Sequence, residues 1–167
     1  YTLSLHDALP IFHGPCVGGG LELACQCDLR ISGESGRFGV PINRLGFSIA
    51  YDELAAVLPV VGRAAALEIL IEGRVWDAHE AYAKGLITRV VPDENLSEEM
   101  RATVERICAG APLVARWHKQ FIRRLTPHAE PLTQKEIDAS FAYFDTDDFR
   151  IGYAAFLQKQ PPKFTGR

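Results

Sequence analysis

Along the chain the spacing of apolar and polar positions changes character several times, and each change predicts an element. Three glycines at 18–20 run into LELACQC, a stretch of good helix formers with apolar residues at helical spacing, so a helix is expected to begin at the glycines. Residues 29–32 alternate like a short strand, 33–36 have turn composition, and 37–39 predict a second strand running into Pro41. Helical spacing returns over 49–58, where Pro59 is expected to end it, and over 63–71, with Ala64, Leu67 and Leu70 on one face and Gly73 beyond the end. Asp77 reads as the N-cap of a helix over 78–84 that Gly85 stops, and 89–91 as a strand closed by Pro92. From Leu96 onward the pattern is helical throughout: 96–109, 113–125, 133–144 and 147–158. An α/β front half followed by a helical back half is the expectation, with no internal repeat or low-complexity linker.

Residues 1–12 fit this scheme poorly. Pro10 cannot donate to a sheet ladder, which demotes its stretch to an edge strand or to no strand at all. His6 and Asp7 are assigned no function.

Composition narrows the function classes more than the fold. At 167 residues, 47% hydrophobic and 23% charged, the chain is one domain's worth and long enough to bury a core. A net charge of −3 argues against a general nucleic-acid binder. Cys16, Cys25, Cys27 and Cys108 are irregularly spaced, which points to neither a zinc site nor a disulfide framework, but to reduced thiols in a cytoplasmic protein. No apolar run is expected to approach the roughly 20 residues that span a bilayer, and no basic region followed by an apolar one opens the chain.

The candidate chemistry sits at the glycines. A backbone free of Cβ atoms lets a ligand approach exposed N–H groups, and a helix starting there presents its unpaired donors to that ligand. Glu22, in the first turn, could move a proton while the amides hold developing negative charge. The alternative is purely structural: glutamate complements a first turn electrostatically, and glycine runs occur at tight strand-to-helix junctions. A dinucleotide site fits less well, because Gly18–Gly20 lacks the G-x-G-x-x-G spacing and no phosphate-loop lysine follows.

The stretch HGPCVGGGLELACQCD, from His13 to Asp28, resembles the signature of the crotonase superfamily, the enoyl-CoA hydratases and isomerases. RFGVP at 37–41, RLG at 44–46, the block over 61–92 and the tail FLQKQPPKF at 156–164 extend the resemblance to nearly everything after residue 12. It implies the C-terminal portion of a crotonase-like β-β-α superhelix followed by a helical trimerisation region. The expected division is a foreign leader at 1–12, a partial crotonase-like core at 13–95 and a C-terminal helical region at 96–167. The upstream part of the family's domain, with the loop that gives the second oxyanion donor, is expected to be missing. The longer form is expected to be a homotrimer or hexamer, with an acyl-CoA thioester as substrate, no further cofactor and no metal, and no nucleic-acid or membrane partner.

Carried over residue by residue, the resemblance makes the Gly19 N–H one oxyanion donor, with Gly18 and Gly20 beside the substrate, and Glu22 the proton-transfer residue. Hydratases of the family carry a second glutamate directly after F-G-x-P. Here Pro41 is followed by Ile42; the resemblance puts both beside the substrate, but Ile42 cannot give or take a proton, and its neighbour Asn43 reads as a turn residue. One base still suffices for double-bond isomerisation or for deprotonation at Cα. Asp52 and Glu53 are further candidates, since IAYDEL replaces a glycine-rich segment of many relatives; otherwise they are an exposed first-turn pair. Lys159 and Phe164 match the basic and aromatic tail with which relatives hold the nucleotide end of CoA, against the plainer reading of a frayed terminus. Arg116, Lys119, Arg123 and Arg124 read as a solvated basic face, and Trp117 and His118 as packing residues. The competing function class is a non-catalytic acyl-CoA-binding or assembly module.

Overall fold

The computed structural model describes residues 10–109, 112–125 and 133–165. His6 and Asp7, and the side chains of Arg116, Arg123 and Arg124, lie outside the described residues.

Strands β1 (Ile11–Phe12) and β2 (Pro15–Val17) lead into helix α1 (Gly19–Cys25), and strands β3 (Ile31–Gly33) and β4 (Arg37–Gly39) follow it. A 3-10 turn at Pro41–Leu45 precedes helix α2 (Tyr51–Ile71), then strand β5 (Val75–Asp77), helix α3 (Ala78–Ala83) and strand β6 (Arg89–Val91). Among the described residues the strands form two small sheets. In one, β3 lies between β1 and β6 with both pairings parallel. In the other, β4 pairs in parallel with β2 and antiparallel with β5. Pro10 introduces an edge strand, its carbonyl accepting the Ile31 N–H at 3.2 Å, and residues 11 and 12 pair with β3.

Strands β2 and β5 escaped the sequence reading because each is only three residues long with a single inward side chain, Cys16 in one and Trp76 in the other. Trp76, Phe38, Leu21, Val57 and Ile69 are fully buried and unite both sheets with α1 and α2 in one core, which Phe12 joins edge-on to Phe38 at 5.4 Å.

Three expectations are corrected in α2. Pro59 does not end α2: the helix runs past it and breaks at Gly62, whose φ of 74° and ψ of 170° are open to glycine and strained for other residues. As a 21-residue apolar helix, α2 also exceeds the expectation that no run approaches bilayer length. The break divides it into two shorter segments, and Val57, Ala66 and Ile69 enter the core. After the break the buried face is Ala66 and Ile69, while Leu67 is 43% exposed, because docking on the core and not the count of apolar residues sets the helix's rotation.

Asp77 caps α3 as expected, accepting the Glu80 N–H at 2.8 Å, and Gly85 ends that turn with a φ of 79°. The back half is helical: α4 (Leu96–Cys108), α5 (Pro112–Leu125), α6 (Gln134–Ser140) and α7 (Asp147–Leu157). The single helix expected over 133–144 is instead α6 followed by a 3-10 turn at Ala142–Asp145, because Thr146 starts α7 afresh by accepting the Phe149 N–H at 3.1 Å. Trp117 and His118 on α5 are exposed, not packed. A separate aromatic cluster, with Phe47 and Phe149 5.4 and 5.6 Å from the Tyr143 ring, joins the segment after the Pro41–Leu45 turn to α7.

Candidate functional site

The glycine loop is anchored from one side. Gly18 takes a φ of 55° and donates its N–H to the Gly39 carbonyl at 2.8 Å, fastening the start of α1 to the end of β4. The first backbone bonds of the helix are then made by Leu21 and Glu22, both to the Gly18 carbonyl at 2.9 and 3.2 Å. The N–H groups of Gly19 and Gly20 therefore stand ahead of the helical ladder. Of the three glycines only Gly18 needs a positive φ.

Leu21, Ala24 and Cys25 turn inward to the core, which leaves Glu22, Leu23 and Gln26 on the outer face of α1. They form one wall of an open groove of about 420 Å³ with Gly19 at its end, and Asp52, Glu53 and Ala56 of α2 form the other. The Glu22 carboxylate folds back over the loop: a Cβ added to Gly19 would lie 3.8 Å from Oε2. Partial burial, followed by the negative charge of Glu53, holds the Glu22 carboxyl above its ordinary range. Glu53 in turn accepts the Ala50 N–H at 2.9 Å and so caps α2. Glu53 thus lines the groove and serves the first turn of α2 at once.

Other residues named from the sequence lie elsewhere. Pro41 opens the 3-10 turn, and Ile42 packs against the hydrophobic core; neither lines the Glu22 groove. Asn43 is more than a turn residue, since its Nδ2 donates to the Ile71 carbonyl at 2.8 Å and clips the turn to the end of α2. Lys159 is exposed just past α7, with a φ of 54°. Phe164 borders a second hollow of about 410 Å³ beside Phe47 and Tyr143, and the next residue is tied down by the Thr165 N–H donating to Asp148 Oδ1 at 2.6 Å. Neither tail residue shares the groove with Glu22. On α5, Lys119 Nζ lies 2.6 Å from Asp28 Oδ2, so that part of the basic face is engaged with the segment that follows α1.

Sequence reasoning missed Arg30. Its side chain is buried and donates from Nε to the Leu86 carbonyl at 2.6 Å and from a terminal nitrogen to the Cys27 carbonyl at 2.5 Å. It ties the exit of α1 to the exit of α3. Nothing in its local pattern announces this, because both acceptors are backbone atoms and one lies 56 positions away. The three thiols near the site are buried, and burial pushes Cys16 and Cys25 up to about 11, so neither is a ready nucleophile at neutral pH.

Comparison with known proteins gives the family. The family model for enoyl-CoA hydratase/isomerase matches residues 9–167. A probable enoyl-CoA hydratase from Mycobacterium bovis is 35% identical over 156 residues, covering 92% of this chain and 60% of its own length. Among solved structures, an enoyl-CoA hydratase/carnithine racemase from Magnetospirillum magneticum superposes with a TM-score of 0.70 at 53% identity, over 95% of this chain and 59% of that one. An enoyl-CoA hydratase from Mycobacterium avium subsp. paratuberculosis gives 0.84 at 28% identity, over 96% and 66%. The chain spans about 60% of the length of the curated relatives it matches.

Proposed function

The chain belongs to the enoyl-CoA hydratase/isomerase family, and from that premise we propose that it processes acyl-CoA thioesters by proton transfer at Glu22, next to an enolate whose oxygen is held by the Gly19 N–H. One observation carries the reading: Glu22 and the unladdered amide of Gly19 meet in a single groove, with the carboxylate folded over the glycine.

A thioester α-proton becomes acidic only as charge on the carbonyl oxygen is stabilised. A fixed amide supplies that stabilisation without reorganisation, and a carboxyl held above its ordinary range is a better match for proton transfer near neutrality. Gly18 and Gly20 keep side chains away from the thioester. Water addition would ordinarily draw on a second acid, and Ile42 cannot serve as one, so proton transfer between carbons or deprotonation at Cα suits this groove better than hydration. Phe164 and Lys159 would act on the distant nucleotide end of CoA. The exposed Trp117, Phe121 and Ile122 on α5 fit assembly into a homotrimer or hexamer in the cytoplasm.

The test is Glu22→Gln in a form extended to the full length of the relatives. The substitution keeps shape and removes the base, so turnover on enoyl-CoA thioesters should fall roughly 100-fold or more. Near-normal turnover would refute the assignment. Ile42 supports one second reading, a non-catalytic acyl-CoA-binding or assembly module. Under it, acyl-CoA would bind to the extended form with no hydration, isomerisation or α-proton exchange.

A further inference from the structure

The segment IAYDEL sets two carboxylates opposite Glu22, and they are held differently. Glu53 is fastened, because Oε2 accepts the Ala50 N–H at 2.9 Å and α2 packs directly on α1. Asp52, one residue earlier on the same wall, is exposed. On α1 itself the Cys25 thiol is held protonated, first by burial and, among lesser influences, by the Glu22 charge, so it adds no charge beside Glu22. Among the described residues no lysine or arginine lines the groove, so nothing in its walls offsets the charge of Glu53.

We propose that Glu53 is a positioning residue for Glu22: held in place by Ala50 and facing α1 without a compensating cation, it sets the charge with which Glu22 meets a ligand. Its consequence for turnover rests on the reading of Glu22 as the proton-transfer group; the pairing itself does not. Partial burial and a second carboxylate across the groove both oppose the ionisation of Glu22, which therefore holds its proton longer. Burial and the Glu53 charge acting together on Glu22 agree with this.

The experiment measures Glu22 directly. Carbodiimide coupling to an amine requires the protonated carboxyl, and mass spectrometry of the Glu22 peptide reads its extent against pH at low protein concentration. The full chain is compared with Glu53→Gln, which keeps an oxygen acceptor for the Ala50 N–H and removes the charge, with Glu53→Asp, and with Asp52→Asn. Labelling of Glu22 at mildly acidic pH should fall roughly two- to fivefold in Glu53→Gln, as expected for losing a like charge across a solvated gap. Glu53→Asp should restore most of it, and Asp52→Asn should change it less. An unaltered profile in Glu53→Gln, or a larger loss in Asp52→Asn, would overturn the proposal. In the extended form, Glu53→Gln should shift the acid limb of the kcat profile with little change in KM. If the labelling shift appears while Glu22→Gln leaves turnover intact, the pairing stands and the functional reading falls.

Discussion

Glu22 Oε2 lies 3.8 Å from the point where a Cβ on Gly19 would sit, an ordinary van der Waals distance. Gly19 is helical and needs no positive φ. A methyl group at this position is therefore compatible with the fold and would protrude into the space between the amide and the carboxylate. Gly19→Ala should melt close to the parent while weakening acyl-CoA binding in the extended form. Gly19→Val, with two methyls in the same space, should abolish that binding. Calorimetry checks both, and unchanged affinity in Gly19→Val would mean that the thioester lies elsewhere.

Because the Glu22 carboxyl is held above its ordinary range, the folded chain keeps that proton at a pH where the unfolded chain has released it. Between the unfolded and folded values the native state binds more protons, so rising pH costs stability across that window, and the cost is constant above it. Glu22→Gln removes this dependence. Melting temperatures from about pH 4 to about pH 8 should show the variant gaining on the parent as pH rises and then holding a constant lead. A lead that shrinks with rising pH would contradict the direction.

Arg30 gives a sharper stability test than any residue of the groove. Arg30→Ala leaves the Leu86 and Cys27 carbonyls without these donors and opens space in a buried region. A loss of about 2–4 kcal/mol is expected from denaturant unfolding. Arg30→Lys should recover little, since an ammonium does not reproduce a guanidinium that reaches two carbonyls in different directions. A change within about 0.5 kcal/mol for Arg30→Ala would show that solvent replaces both bonds.

On α5, Val114, Trp117, Phe121 and Ile122 recur at helical spacing, and Trp117 and Phe121 are more than half exposed. The chain alone is accordingly expected to self-associate, and, on the proposed reading of the groove, to lack hydration activity because Ile42 supplies no second acid. Light scattering with Trp117→Glu and Phe121→Lys should show a decrease in particle size. A well-folded monomer with measurable turnover would overturn both expectations.

Local signals were readable wherever the physics is local. The glycines before LELACQC, the Asp77 cap and the Gly73 and Gly85 stops each depend on backbone freedom or on a bond to a residue three positions away, and each stands where spacing alone put it. The pattern also pointed to the glycine run and Glu22, and the family resemblance to Gly19, because residues three positions apart at a helix start stay neighbours in space. What it could not contain was any relation set by packing. Pro59 looked like a terminus, but a proline can be carried through a helix that core contacts hold on both sides, and Gly62 supplied the break. Trp76 and Cys16 became strand centres only because β4 lies between their strands. Whether Asp52 and Glu53 merely decorate a helix start or face Glu22 was decided by the docking of α2 on α1. Arg30 was invisible because its acceptors are backbone carbonyls that only the folded chain brings within reach.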